Sequence, residues 1–358
     1  MILQIEQAIA DILAFFAIYA IVALALNLAY GYAGVPNFGL HMAVLGGAAI
    51  VGGLVGRLIF WLLADYFTGV GLDPAGLDYV ANNALIVTTL NKYFEANPVM
   101  GILVFLVSLI FAIAVGALLG YLLALPAARL REEYLAMATL AIAEVFFNVM
   151  RFQRELIGGT IGVQIINPLS WLPERYILYP LLLIVCLVAL YLFIERIIHS
   201  PLGRGFKAVR DDDIAASTLG YDVAKMRELS MTIAGAIGGL AGALWAFYTL
   251  GLNAINYNRV YWTFIPWLVV ILGGTANNAG VIVGALIYIS MKRLIIFGKE
   301  YLNPYLPFDV AWLEYILVGV IILAILIYRP QGLIPERLLK TLKREEHEEI
   351  KNRSRPEL

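Results

Sequence analysis

The chain has 358 residues, of which 61% are hydrophobic and 14% charged, with mean hydropathy +0.83 and a formal net charge of −1. A water-facing domain carries about 25% charged residues, so a soluble fold is excluded, and the near-zero net charge offers no bulk attraction for nucleic acid. The single cysteine, Cys186, lies inside an apolar run and excludes a disulfide or thiolate metal cluster within the chain.

The composition is that of an all-α, polytopic transmembrane helix bundle. A span needs about 20 apolar residues to cross a hydrocarbon core of about 30 Å. The first predicted span covers residues 7–30. No Lys or Arg precedes it, and Glu6 and Asp11 stand there instead. It lacks the basic start of a cleavable signal and is expected to stay in the mature chain. A glycine-rich break at 31–39 follows, containing Gly31, Gly34, Pro36 and Asn37. The second span covers 40–63, with His41 at its start, where a hydrogen-bonded packing role and a substrate role are both open. Residues 65–97 are more polar and carry turn signals at Asp73-Pro74, Asn82-Asn83 and Asn97-Pro98.

The third span, 100–125, stops at Pro126 and leads into a short basic link with Arg129 and Arg131. The fourth, 134–150, holds Glu144 about halfway along. An ionisable group at that depth is a functional candidate, with Arg151 and Arg154 its nearest partners in sequence and a structural salt bridge the alternative. Residues 151–176 form a loop with Gly158, Gly159 and Thr160, and the fifth span is 177–198.

Residues 200–220 then form a charged, helix-like island between apolar runs. Ser200 suits an N-cap and Pro201 the first helical position. Leu202, Phe206, Val209, Ala216 and Leu219 share a face at helical spacing, Gly220 is placed to end the helix, and Asp222 to cap the next. Asp211, Asp212 and Asp213 are consecutive on a helix and point in different directions, so a metal site is not expected.

Four more apolar segments follow, at 229–250, 260–272, 281–297 and 312–328, for about nine spans in all. The segment 260–272 is short and is expected to begin or end inside the bilayer. A second glycine-rich break, 273–280, holds Gly273, Gly274, Thr275, Asn277 and Asn278. Broken helices at membrane depth are tolerated only in protein or along a wet cavity, and their free N–H groups suit a carboxylate. The two breaks are thus candidates for a solute path, with tight inter-span turns as the alternative. Residues 1–333 read as one transmembrane domain and 334–358 as a charged tail. Most Lys and Arg collect in the basic link, the island and the tail, which puts those on the inside and the N-terminus outside; Arg151, Arg154 and Arg175 run against the rule. Gly52/Gly56, Gly116/Gly120, Gly235/Gly239 and Gly238/Gly242 have the G-x-x-x-G spacing, which serves either packing within the bundle or association with a second chain. No H-E-x-x-H, G-x-S-x-G or phosphate-loop motif is present, so no enzymatic activity or cofactor is expected.

Several stretches together resemble one family. They are Ser200-Pro201-Leu202-Gly203-Arg204, Ala208-Val209-Arg210, Ala215-Ala216, Leu219-Gly220 and Ala241-Gly242-Ala243-Leu244. Gly31-Tyr32-Ala33-Gly34, Arg129-Leu130-Arg131, Tyr134-Leu135-Ala136, Gly273-Gly274 and Arg329-Pro330-Gln331-Gly332-Leu333 complete the pattern. In order and spacing they resemble the permeases of branched-chain amino acid ABC importers, and the 129–140 stretch with the long island resembles the larger, M-type chain. The sequence departs from that pattern at Glu132, Val281, His41 and Asp213.

The resemblance implies that the island is a coupling helix docking on a cytoplasmic ATP-binding cassette subunit, with Phe206 and Leu219 filling its groove, Arg204, Arg210 and Asp211 setting the register, and Gly220 closing the coupling stretch. It implies a second homologous permease chain, an extracytoplasmic substrate-binding protein, the inner or plasma membrane of a prokaryote, and branched-chain or related amino acids as cargo. The substrate path would involve Gly31, Gly34, Asn37, Gly158, Gly159, Thr160, Gly273, Gly274 and Thr275. The competing reading of the residues is a stand-alone, ion-coupled secondary transporter with Glu144 as its proton or counter-ion site.

Overall fold

The computed structural model describes residues 2–128, 130, 132–302 and 311–336. The basic-link residues Arg129 and Arg131, and the tail from 337 onward, lie outside the described residues.

Helix α1 (Ile2–Asn27) contains neither Gly nor Pro and closes in a wide π turn, Leu28–Tyr32. An extended stretch leads to α2 (Leu40–Ala49), which continues through a second π turn (Ile50–Val55) into α3 (Gly56–Leu62). Next come α4 (Ala64–Gly69), α5 (Asn83–Ala96) and α6 (Pro98–Ala124). Helix α7 (Glu132–Phe152) is followed by the short α8 (Arg154–Ile157) and strand β1 (Val163–Gln164), then α9 (Arg175–His199). The island holds α10 (Pro201–Asp211) and α11 (Asp213–Thr218). Helix α12 (Val223–Thr249) runs into β2 (Gly251–Leu252), which pairs antiparallel with β1. A third π turn (Val260–Phe264) opens α13 (Ile265–Gly273), and α14 (Asn278–Leu302) and α15 (Ala311–Tyr328) finish the described chain.

Seven helical segments among the described residues are long and apolar enough to cross a bilayer. They match the first five apolar runs read from the sequence and the runs that became α12 and α14. Of the other two expected spans, 260–272 gives only a turn and a nine-residue helix that ends at Gly273, about 21 Å in all at 1.5 Å per residue, short of the hydrocarbon core. The last, α15, has 18 residues.

Three segments, α1, α2–α3 and α12, are each 67% buried across their apolar window and form the centre of the bundle, whereas α7 and α9 are 28% buried and form its rim. In lipid, helices gain little from hydrophobic burial and associate through close packing. The α6–α12 seam works this way: Gly116 and Gly120 face Gly235 and Gly239, and a Cβ on Gly239 would lie 2.3 Å from the carbonyl oxygen of Ala112. Gly238 and Gly242 face Leu40 and Val44 of α2, while Gly52 and Gly56 meet Leu252 and Tyr79. All four G-x-x-x-G pairs are therefore spent on packing within this chain.

Two local expectations change. The 65–97 stretch holds the 14-residue helix α5, because Ile86, Leu90 and Phe94 recur at four-residue spacing and bury one face beneath Phe60 and Phe67. The Asn82-Asn83 turn signal marks its start. The island is two helices, broken at Asp212, whose extended backbone (φ −161°, ψ 109°) lets its carboxylate accept the N–H groups of Ile214 and Ala215 and cap α11. The caps read from sequence are present: Ser200 accepts from Gly203 N–H and Asp222 from Lys225 N–H.

Candidate functional site

The island is joined to the bundle through Arg210, at the end of α10. Its Nη1 donates to the Gly31 carbonyl at 2.8 Å and lies 3.0 Å from Glu336 Oε2, while Nε and Nη2 reach Asp211 Oδ1 at 2.9 and 2.8 Å. Burial works against the guanidinium charge, but the hydrogen bonds and charges of Asp211 and Glu336 outweigh it and hold its pKa above the usual value. Gly34 has φ +71°, and a Cβ there would come 3.1 Å from Arg210 Cγ, so glycine is needed for both the backbone and the approach.

The two glycine-rich breaks meet beside this junction. Buried Asn27 donates to Asn278 Oδ1 at 3.0 Å and accepts the Ala276 N–H at 2.9 Å, and Asn278 donates to Glu195 of α9 at 3.0 Å. The chain after α15 then covers the second break. Leu333 and Ile334 donate their N–H groups to the carbonyls of Leu272 and Gly273, both at 3.0 Å, and Asn277 donates to Pro335 O at 3.1 Å. Residues 334–336 thus pack on the bundle, with Glu336 completing the Arg210 cluster.

The segment after Gly34 runs back along α13. Phe38 stacks on Trp267 with centroids 4.5 Å apart, and Trp267 Nε1 donates to Asn37 O at 3.2 Å. This places His41, Thr139, Glu144, Arg259 and Thr263 together. Thr139 Oγ1 accepts the Phe38 N–H at 3.3 Å, and Thr263 Oγ1 lies 3.1 Å from His41 Nδ1. Glu144 Oε2 lies 3.5 Å from Arg259 Nη1 and 4.0 Å from His41 Nε2. The partner of Glu144 is accordingly Arg259, in place of the expected Arg151 or Arg154. Arg151 is seven residues along the same continuous helix, about 10 Å away in rise.

His41 and Asn37 are buried, and His41 Nε2 and Asn37 Nδ2 have no hydrogen-bond partner. The side chains of Glu144 and Arg259 are 32% and 46% exposed. An ion pair halfway along a span is costly against lipid, so its open side requires protein or water.

The remaining expected residues separate into groups. Gly31, Gly34, Gly273, Gly274 and Thr275 sit around the Arg210 junction, and Asn37 lies beside the Glu144 cluster. Gly158, Gly159 and Thr160 lie at the opposite end of the bundle, where Asn253 donates to Thr160 O at 3.0 Å. On the island, Arg204 and Asp211 are exposed, Gly220 (φ +89°) turns the chain after α11, and Leu219 is 76% exposed. Phe206, expected to fill a partner's groove, is fully buried within its own chain and cannot reach one. Ile214, 74% exposed on α11, is the additional apolar group that the face analysis missed, because the break at Asp212 turns it outward. Arg259, Glu336 and Asn27 were also missed. Asn27 carried a signal, as a lone amide in an apolar run.

A family profile described as the permease component of the branched-chain amino acid transport system matches residues 8–326. The chain is 38% identical over 337 residues to the probable branched-chain amino acid transport permease protein LivM of Methanocaldococcus jannaschii, covering 93% of this chain and 95% of that one. It is 26% identical over 358 residues to the high-affinity branched-chain amino acid transport system permease protein LivM of Escherichia coli, covering 93% and 71%. It is also 27% identical over 305 residues to the probable permease protein LivH of M. jannaschii, covering 81% and 91%. No solved structure matches the chain.

Proposed function

Because this chain belongs to the branched-chain amino acid transport permease family and resembles the larger LivM chains, we propose that it is a membrane subunit of an ATP-driven importer for branched-chain or related amino acids. The observation that carries the coupling is the Arg210 cluster. One side chain ties the island to the first break through Gly31 and to the cover of the second break through Glu336. A force on α10 and α11 is therefore applied to both breaks at once.

In this reading the island and the C-terminus are cytoplasmic and the N-terminus is outside, in a prokaryotic cell membrane. Leu219 and Ile214 enter the groove of the ATP-binding cassette subunit, while Arg204 and Asp211 set its register. A second, homologous permease chain covers the open side of the Glu144–Arg259 pair, and the path runs between the two chains past Asn37 and His41. An extracytoplasmic binding protein delivers the amino acid to the end that carries Gly158–Thr160. This chain hydrolyses nothing and needs no cofactor of its own.

The ion-coupled carrier remains a second reading because Glu144, an ionisable group inside a span, lies 4.0 Å from the titratable His41. Reconstitution into liposomes separates the two. The permease pair with its ATPase and binding protein is expected to accumulate radiolabelled leucine only with ATP. Uptake driven by a proton gradient in vesicles without the ATPase would establish the carrier instead.

A further inference from the structure

At the end of the bundle opposite the island, a cavity of about 840 Å³ opens between α1, the start of α5, the β1–β2 pair, and the Tyr257–Trp262 and Lys292 segments. Its size is in the range of small-molecule sites, about 300–1,000 Å³. It shares no lining residue with the Glu144 cluster, although the 257–264 segment supplies Tyr257, Tyr261 and Trp262 to the cavity and Arg259 and Thr263 to the cluster.

The wall is aromatic. The Trp262 ring lies 5.6 Å from Tyr257, 5.8 Å from Tyr19 and 5.9 Å from Trp245, centroid to centroid. Lys292 is the one charged side chain among the described residues that line the cavity, with Nζ 5.6 Å from the ring centre of Tyr261. Two polar atoms of the lining residues, Asn83 Nδ2 and the Tyr257 hydroxyl, are buried without a hydrogen-bond partner, although buried polar groups are normally paired. The remaining polar surface comes from Gln164 and Asn253. An acyl chain has no use for amides. A strongly anionic solute has no use for an aromatic wall with a single cation. A small molecule with one carboxylate, one ammonium and an apolar side chain uses all three features: the ammonium of Lys292, the amide oxygens of Gln164 and Asn253, and the aromatic enclosure.

We infer that this cavity is an outward-facing binding site for a free amphipathic amino acid, held by its carboxylate at Lys292 and by its side chain against Trp245. The inference rests on the permease reading for its orientation and for the class of cargo. It adds a site within a single chain, apart from the path between chains.

The test uses the full permease complex in lipid nanodiscs and isothermal titration with three probes: L-leucine, 4-methylpentanoate, which lacks the ammonium, and isopentylamine, which lacks the carboxylate. Leucine and 4-methylpentanoate are expected to bind saturably and to quench tryptophan fluorescence, with isopentylamine weaker on the order of tenfold or more. Lys292→Gln is expected to weaken leucine by about tenfold, with Lys292→Arg restoring most of the loss. Absence of saturable leucine binding, or equal binding of the carboxylate and the amine, overturns the site without recourse to any variant that fails to fold. Unchanged affinity in Lys292→Gln overturns it as well. ATP-driven leucine uptake by the same wild-type complex, measured in parallel, distinguishes failure of this site from failure of the permease reading, because uptake without cavity binding removes only the former.

Discussion

The guanidinium of Arg210 donates to the Gly31 carbonyl at 2.8 Å, across 179 residues of chain. The acceptor lies in the π turn that ends α1, and the donor lies near the end of α10, whose Phe206 and Val209 are buried against the bundle. Side chains that bridge a surface helix and a broken helix suit a two-state transition, because the packed elements on either side shift as units.

Arg210→Ala is therefore expected to lower ATP-driven uptake on the order of tenfold, since a hydrogen bond to a charged group contributes about 1.5–3 kcal/mol. Co-purification of the ATPase subunit should be unchanged, because Arg210 is turned toward the bundle and is only 21% exposed. Loss of ATPase binding in this variant would instead place Arg210 in the docking surface. Arg210→Lys should recover only part of the uptake, as a lysine cannot reach Gly31, Asp211 and Glu336 with one planar fork.

Gly34→Ala should reproduce that defect from the other side of the contact. Its left-handed backbone penalises a Cβ by roughly 1–2 kcal/mol, and the added methyl would press on Arg210. Uptake and thermal unfolding in detergent measure the two effects, and a transporter with normal activity would show that the Arg210 approach is not needed.

Phe206 and Leu219 should respond in opposite ways. Phe206→Ala removes a fully buried ring and is expected to destabilise the chain by about 3–5 kcal/mol, read as a fall in melting temperature. Leu219→Asp alters an exposed residue and should leave the melting temperature nearly unchanged while weakening capture of the ATPase subunit. Full ATPase capture by Leu219→Asp would move the docking surface away from α11.

Glu144 and Arg259 form a pair that a double-mutant cycle can measure. Glu144→Gln and Arg259→Gln should each impair uptake, and the double variant should be less defective than the sum, with a coupling of about 0.5–3 kcal/mol. Additive effects would mean that the two act separately. Full proton-driven uptake with Glu144→Gln would remove this residue from the carrier reading.

Much of the bundle was legible in sequence because lipid imposes a length and a polarity on every span. The boundaries of α1, α6 and α9 follow from uninterrupted apolar runs, and the Ser200 and Asp222 caps from residue types that compete for free N–H groups. Helix α5 was obscured because its apolar stripe is brief and its flanks carry turn residues. Leu219 left the buried face it was expected to share with Phe206, Val209 and Ala216 because helical periodicity across 200–220 assumed one helix, and the cap at Asp212 resets the phase.

What the sequence determined by itself was the solvent of this protein, the places where its helices start and break, and the presence of a charged island between apolar spans. These are local quantities, set by transfer free energy and backbone chemistry over a few turns. The tertiary structure alone decided which groups meet: Arg259 with Glu144, Asn27 with Asn278, and Arg210 with Gly31 and Glu336. Such pairs join residues far apart along the chain, and a charge or an amide carries no mark of its partner until the helices are packed.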